Sequence, residues 1–221
     1  PWIHQVIPTG GVDPHEAARD HDTFAKLFHF KGEVPGMWFA ASRMQEHPLR
    51  LEDKSYAVIH PGSRHPQRIL EIDKWAAVAR ELLTSGAVKR IVISAGPTEQ
   101  ERILAQALVK LIGPAAISTA GQLRWTQLAF LLKNARIFLG VDSSVLQLAA
   151  AVQTPVVGVF GLSDYARARP WGTLNRVVRI DAMAYEGETR EDYEVRMNRA
   201  LMRVTPQQIL QVTEELLRLS A

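Results

Sequence analysis

The stretch Ile137–Gly161, IFLGVDSSVLQLAAAVQTPVVGVFG, leaves few folds open to this chain. It reads as an apolar run, a polar turn at Asp142-Ser143-Ser144, a short Ala-rich helical segment, a Thr154-Pro155 break and a second apolar run ending at Gly161. Strands that are apolar along their whole length need cover on both faces, and parallel neighbours need a crossover, usually a helix. The polar turn then falls at the carboxyl end of a strand. There the next helix opens its free N–H groups and the positive end of its dipole into the crevice. An anion is favoured at such a place.

The same alternation runs from Ser55 onward. Strands are expected at Tyr56–His60, Arg90–Ser94, Ala116–Ser118, Arg136–Val141, Val156–Phe160 and Arg176–Ile180. Helices are expected near Asp73–Thr84, Thr98–Leu111, Arg124–Lys133 and Ser144–Val152. The second of these opens on a capping box, Thr98 to Glu101, and carries Ile103, Leu104, Ala107, Leu108 and Leu111 at helical spacing. The fold class that follows is α/β, a Rossmann-like parallel sheet with helices on both faces. The chain of 221 residues is long enough for one sizeable core.

The flanks differ from this region. Residues 1–54 read as a remnant of a preceding domain and a linker, 55–182 as the Rossmann-like domain, and 183–221 as a helical tail. The chain opens on Pro1 and runs straight into apolar Trp2–Pro8, which reads as the remnant of something longer. Residues 13–29 form an amphipathic helix with Asp13 as N-cap and Pro14 at its first position, and Gly32–Lys54 a linker with Trp38 and Phe39 as a docking patch. In the tail, Thr205-Pro206-Gln207-Gln208 marks another helix start.

Several chemistries are excluded. The chain has no cysteine, so disulfides and thiolate metal sites are ruled out. Its seven histidines form no HExxH or similar pair, which argues against a metal. GxSxG, GxxxxGK[ST] and GxGxxG are all absent, the last arguing against an ordinary dinucleotide dehydrogenase. A net charge of +3 suits an anionic ligand or a membrane surface but is too small to argue for nucleic acid.

The remaining candidates lie at strand ends. His60-Pro61-Gly62-Ser63, with Arg64, His65 and Arg68 behind it, reads either as a diphosphate-binding turn with charge-assisted donors or as a solvated basic loop. Glu99 and Glu101, after Gly96-Pro97, read as ribose contacts or as acidic residues complementing a helix dipole. Asp142 reads as an N-cap or as the acceptor of a sugar hydroxyl, since a carboxylate beside a diphosphate is repulsive. Ser143 and Ser144 offer hydroxyls and N–H groups to phosphate, and Gln147, one turn in, offers its amide. Trp75, Trp125 and Trp171 read as core or rim packing.

Taken together these turns resemble the carboxyl-terminal half of glycosyltransferase family 9, the heptosyltransferases of lipopolysaccharide synthesis, from Ser55 to about Gly172. The family's P-G-[ST] turn falls on Pro61-Gly62-Ser63, its helix-preceding Lys on Arg68 ahead of Trp75, and its G-G-P-x-E turn on Ala95 through Glu99. Its D-[ST]-G-x-x-H-L-A-A-A signature falls on Asp142–Ala151, and its x-x-P-x-x-x-x-[FY]-G-x-[ST]-D segment on Gln153–Asp164. The resemblance implies the second domain of a GT-B enzyme, binding a nucleotide-sugar, ADP-type, as substrate with no cofactor and no metal.

It also implies residue roles. Gly62, Ser63, Ser143 and Ser144 would hold the diphosphate, Arg68 the leaving phosphate, Glu99 the ribose, Leu123 the base and Asp142 the donor sugar. The acceptor would be a saccharide or lipid-linked saccharide, and the setting cytoplasmic with room for peripheral contact at the inner membrane. The general base would sit in an amino-terminal domain, and nothing in residues 1–50 carries its motif, so the chain alone is expected not to turn over.

Three positions depart from the family. Ser144 replaces Gly, which restricts φ and close backbone approach. Gln147 replaces His and cannot become a cation. Arg68 replaces Lys, which keeps the charge and changes its geometry. An altered donor, or a non-catalytic nucleotide-binding or interaction module, both follow from such changes.

Overall fold

The computed structural model describes residues 15–161, 165–179 and 187–220. Six strands form one sheet: β1 (Tyr56–His60), β2 (Arg90–Ile93), β3 (Ala116–Ser118), β4 (Ile137–Val141), β5 (Val156–Phe160) and β6 (Asn175–Arg179). They run in the order β3-β2-β1-β4-β5-β6, and every pairing is parallel. The expected Rossmann-like α/β sheet is therefore the observed one. The expected strand ends shift by about a residue, as backbone pairing rather than hydropathy sets them.

The helices are α1 (Glu16–Phe28), α2 (Ile72–Thr84), α3 (Glu99–Ile112), α4 (Trp125–Asn134), α5 (Ser144–Ala151), α6 (Tyr165–Ala168), α7 (Arg190–Leu201) and α8 (Pro206–Leu219). β1 is buried at all five positions because its side chains alternate between two cores. Ala57 and Ile59 point into one, shared with Trp75, Val78 and Leu82 of α2, Leu108 of α3 and Leu216 of α8. Tyr56 and Val58 point into the other, shared with Leu131 and Leu132 of α4 and Leu146 of α5. Each fully buried Leu or Ile of this kind contributes roughly 1.5–3 kcal/mol.

α8 completes the first core with Ile209, Leu216 and Leu217. Its start is held as the sequence suggests, with the Thr205 hydroxyl accepting from Gln208 N–H and the Gln208 amide oxygen accepting from Thr205 N–H. The amino-terminal helix begins later than expected. Its N-cap is His15, whose Nδ1 accepts from Ala17 N–H, while Asp13 and Pro14 lie outside the described residues. Of the suggested docking pair, Phe39 packs on the second core and its N–H donates to Ala151 O, whereas Trp38 stays 76% exposed. Trp75 is a core residue, Trp125 is exposed, and Trp171 stacks on His15.

β1 and β4 are the two strands between which the sheet reverses direction of growth, and His60 lies opposite Gly140. Their carboxyl ends are thus level. In open α/β sheets the crevice outside this reversal is where ligands bind.

Candidate functional site

Two of the expected turns leave the sheet side by side at this reversal. After β1 come Pro61-Gly62-Ser63 and a short 3-10 turn, Pro66–Arg68. After β4 come Asp142, then Ser143 as the N-cap of α5. The Ser143 hydroxyl accepts from Leu146 N–H at 3.3 Å, so Ser143 is occupied as a helix cap. Ser144, the first residue of α5, is exposed beside it.

Side chains join the turns. Arg68 Nη1 donates to Asp142 Oδ2 at 2.7 Å, an ion pair with side-chain exposures of 28% and 11%. The Ser63 hydroxyl lies 3.5 Å from the Asp142 carbonyl. Residues far apart in the chain, 63 and 68 against 142–144, thereby meet at the N-terminus of α5. This arrangement suits a phosphate, and the Asp142 charge next to it is balanced by the guanidinium.

Gln147 makes a different contact. Its Nε2 donates to Ala168 O at 2.7 Å, fastening α5 to the end of α6. The short α6 was not apparent in the sequence, since four residues are too few for a periodic pattern.

On the β2 side, Glu99 is exposed at the first position of α3, while Glu101 turns back toward the sheet. The Thr98 hydroxyl accepts from Glu101 N–H and donates to the Glu101 carboxylate at 2.7 Å. That carboxylate fills the space over two glycines. A β-carbon on Gly62 would lie 3.2 Å from Glu101 Oε1, and one on Gly96 would lie 2.4 Å from Glu101 Oε2. Gly62 therefore leaves room for Glu101, a reason distinct from close approach of a phosphate. The capping-box spacing of Glu101 was visible in sequence, but its contact with Gly62 depends on β1 pairing with β2.

Beneath it His60 is buried, with Nδ1 3.1 Å from Ser94 O and 3.0 Å from Ser94 Oγ. The carbonyl only accepts, whereas the Ser94 hydroxyl can accept from Nδ1 or donate to it. Burial holds the imidazole below its ordinary value of 6.5, against the opposing pull of the Ser94 carbonyl and the Glu101 charge. Below that ordinary value the unfolded chain binds a proton that folded His60 does not. Stability should therefore fall as pH drops from 6.5 to the lowered value, by up to about 1.4 kcal/mol per pH unit. Denaturant unfolding between pH 7.5 and 5 checks this, and His60→Gln should flatten the slope. Half-buried His47, also lowered by burial, retains its share.

Leu123 lies after β3, at the far end of the same sheet edge. With Pro48, Leu49, Thr119, Ala120 and Gln122 it lines a cavity of about 220 Å³. The polypeptide reaches it through Gly121, with φ of +67°, packed against the carbonyl of Gly96.

The model of glycosyltransferase family 9 (heptosyltransferase) matches residues 7–196. The chain belongs to this family. Lipopolysaccharide heptosyltransferase 3 of Escherichia coli K12 is 29% identical over 164 residues, covering 73% of this chain and 46% of that protein. Lipooligosaccharide heptosyltransferase 2 of Haemophilus influenzae is 24% identical over 93% of this chain and 54% of its own length. The chain thus spans about half the length of the curated relatives it matches. In fold it is similar to a family 9 glycosyltransferase from Veillonella parvula (TM-score 0.76, 19% identity, 92% of this chain and 60% of that one). It is also similar to E. coli heptosyltransferase WaaC with ADP (TM-score 0.69, 20% identity, 90% and 55%). Family 9 membership makes this chain a relative of sugar transferases, and among its described residues no helix is long and apolar enough to cross a membrane.

Proposed function

We propose that this chain is the donor-binding half of an inverting glycosyltransferase, holding a nucleoside diphosphate sugar with its diphosphate between the β1 and β4 turns. The observation that carries this reading is the meeting of Ser63, Arg68 and Asp142 at the N-terminus of α5, on the reversal of the sheet. In this reading Arg68 meets charge as it grows on the leaving phosphate, and the helix N–H groups share that task with no metal required. Glu99 takes the ribose, Leu123 and its cavity the base, and Asp142 a sugar hydroxyl. Residues 55–182 are the nucleotide-sugar domain.

The sugar is heptose-like and the base adenine. Two structural relatives were solved with ADP or ADP-2-deoxy-2-fluoro heptose, which supports that choice. The acceptor is a saccharide of the lipopolysaccharide type, met at the cytoplasmic side of the inner membrane. Its hydroxyl needs a general base, which we assign to an amino-terminal domain facing this one. The chain by itself therefore binds donor without turning it over.

A second reading, a non-catalytic nucleotide-binding or interaction module, is favoured by one contact: Gln147 holds α6 where the family has a histidine. Titration calorimetry with ADP, UDP and GDP decides between them. Binding of ADP ahead of the other two is expected. Heatless titrations for all three at millimolar concentration would overturn the donor-site reading.

A further inference from the structure

The Arg68–Asp142 pair has features that a simple phosphate-binding arginine would not need. One guanidinium nitrogen, Nη1, holds the carboxylate at 2.7 Å, while the buried Nε has no hydrogen-bond partner. The planar fork of arginine offers five N–H donors, and a single-point pairing leaves most of that capacity unused. The pair is only partly open to water, so salt screens it less than a surface bridge. Asp142 also sits immediately before the N-cap of α5, with its negative charge at the helix end that a phosphate would approach.

We propose that Asp142 is an internal counter-anion that competes with the incoming phosphate for Arg68. This rests on the diphosphate reading of the crevice. A ligand enters by drawing the guanidinium away from Asp142, and the fork then closes on phosphate oxygens. An anion with little charge cannot displace the resident carboxylate, so the crevice selects groups as highly charged as a diphosphate. Asp142 is thus a specificity-determining residue whose effect passes through Arg68.

The test is calorimetry of the full chain with pyrophosphate, for the wild type, Asp142→Asn, Arg68→Gln and the double variant, with thermal melts to verify folding. Asp142→Asn keeps the shape and removes the charge, and should tighten pyrophosphate at least tenfold, about 1.4 kcal/mol. In the Arg68→Gln background the gain should shrink several-fold, because only the direct repulsion between Asp142 and the ligand is left to relieve. Unchanged or weaker binding by Asp142→Asn overturns the proposal and makes Asp142 a fixed post that orients Arg68. A gain that is undiminished without Arg68 overturns it too, by assigning the effect to lost repulsion alone. Should Asp142→Asn fail to fold, Asp142→Ser carries the same comparison. If the wild type binds ADP and Asp142→Asn shows no gain, this proposal falls and the diphosphate reading stands. If no variant binds ADP or pyrophosphate, the diphosphate reading itself falls.

Discussion

Arg68→Ala should weaken nucleoside diphosphate binding by roughly 10- to 100-fold and leave nucleoside binding nearly unchanged. Charge-assisted hydrogen bonds contribute about 1.5–3 kcal/mol each, and the substitution removes at least one of them. It also strands Asp142, whose carboxylate is paired with Arg68 in the folded chain. The negative charge left at the mouth of α5 repels phosphate and adds to the loss. Arg68→Lys restores the charge as a single point and should recover part of the affinity, since the family carries lysine here. Calorimetry with ADP and adenosine separates the outcomes: equal losses for both ligands would contradict a phosphate role.

Gly121→Ala should destabilise the fold by roughly 2–5 kcal/mol, and Gly86→Ala by about 1–2 kcal/mol. Both glycines lie at positive φ, +67° and +71°, where an L side chain costs about 1–2 kcal/mol. Their surroundings differ. A β-carbon at Gly86 meets nothing within 4 Å, whereas one at Gly121 would lie 2.2 Å from the carbonyl oxygen of Gly96. That atom is backbone and cannot rotate away, so the turns after β2 and β3 would have to separate, adding an overpacking cost of about 1–3 kcal/mol. Denaturant melts of both variants measure the difference directly. Equal costs would mean that the two turns yield freely. In the donor-site reading Gly121→Ala also displaces Leu123, so base-dependent affinity should fall along with stability.

The two predictions share a lesson about where the site comes from. The turns themselves were legible, because each is a local event: an apolar run ends, a Gly, Pro, Ser or Asp follows, and a helical period begins. Thr98 and Thr205 cap their helices as local spacing suggested, whereas the cap of α5 is Ser143 and not Asp142, one residue earlier. The adjacency of Ser63 and Arg68 to Asp142 was expected from the α/β alternation, since sheets of this kind place their crevice at one edge. The contacts within the crevice were not legible. The partner of Arg68 is set by the register of β1 on β4. Glu101 reaches Gly62 because β2, which leads into α3, pairs with β1. Gln147 meets Ala168, on a helix too short to announce itself.

Sequence alone therefore determined the α/β architecture and the positions of the strand-end turns, because hydrophobic period, capping and turn chemistry act over a few residues, and the motifs at those turns carried the resemblance to the family. Tertiary structure decided what each polar side chain holds: Asp142 holds Arg68, Glu101 lies over two glycines, Gln147 ties down α6, and His60 is buried against Ser94. Those pairings join residues dozens of positions apart, at distances that strand register and helix packing impose. No local pattern encodes them.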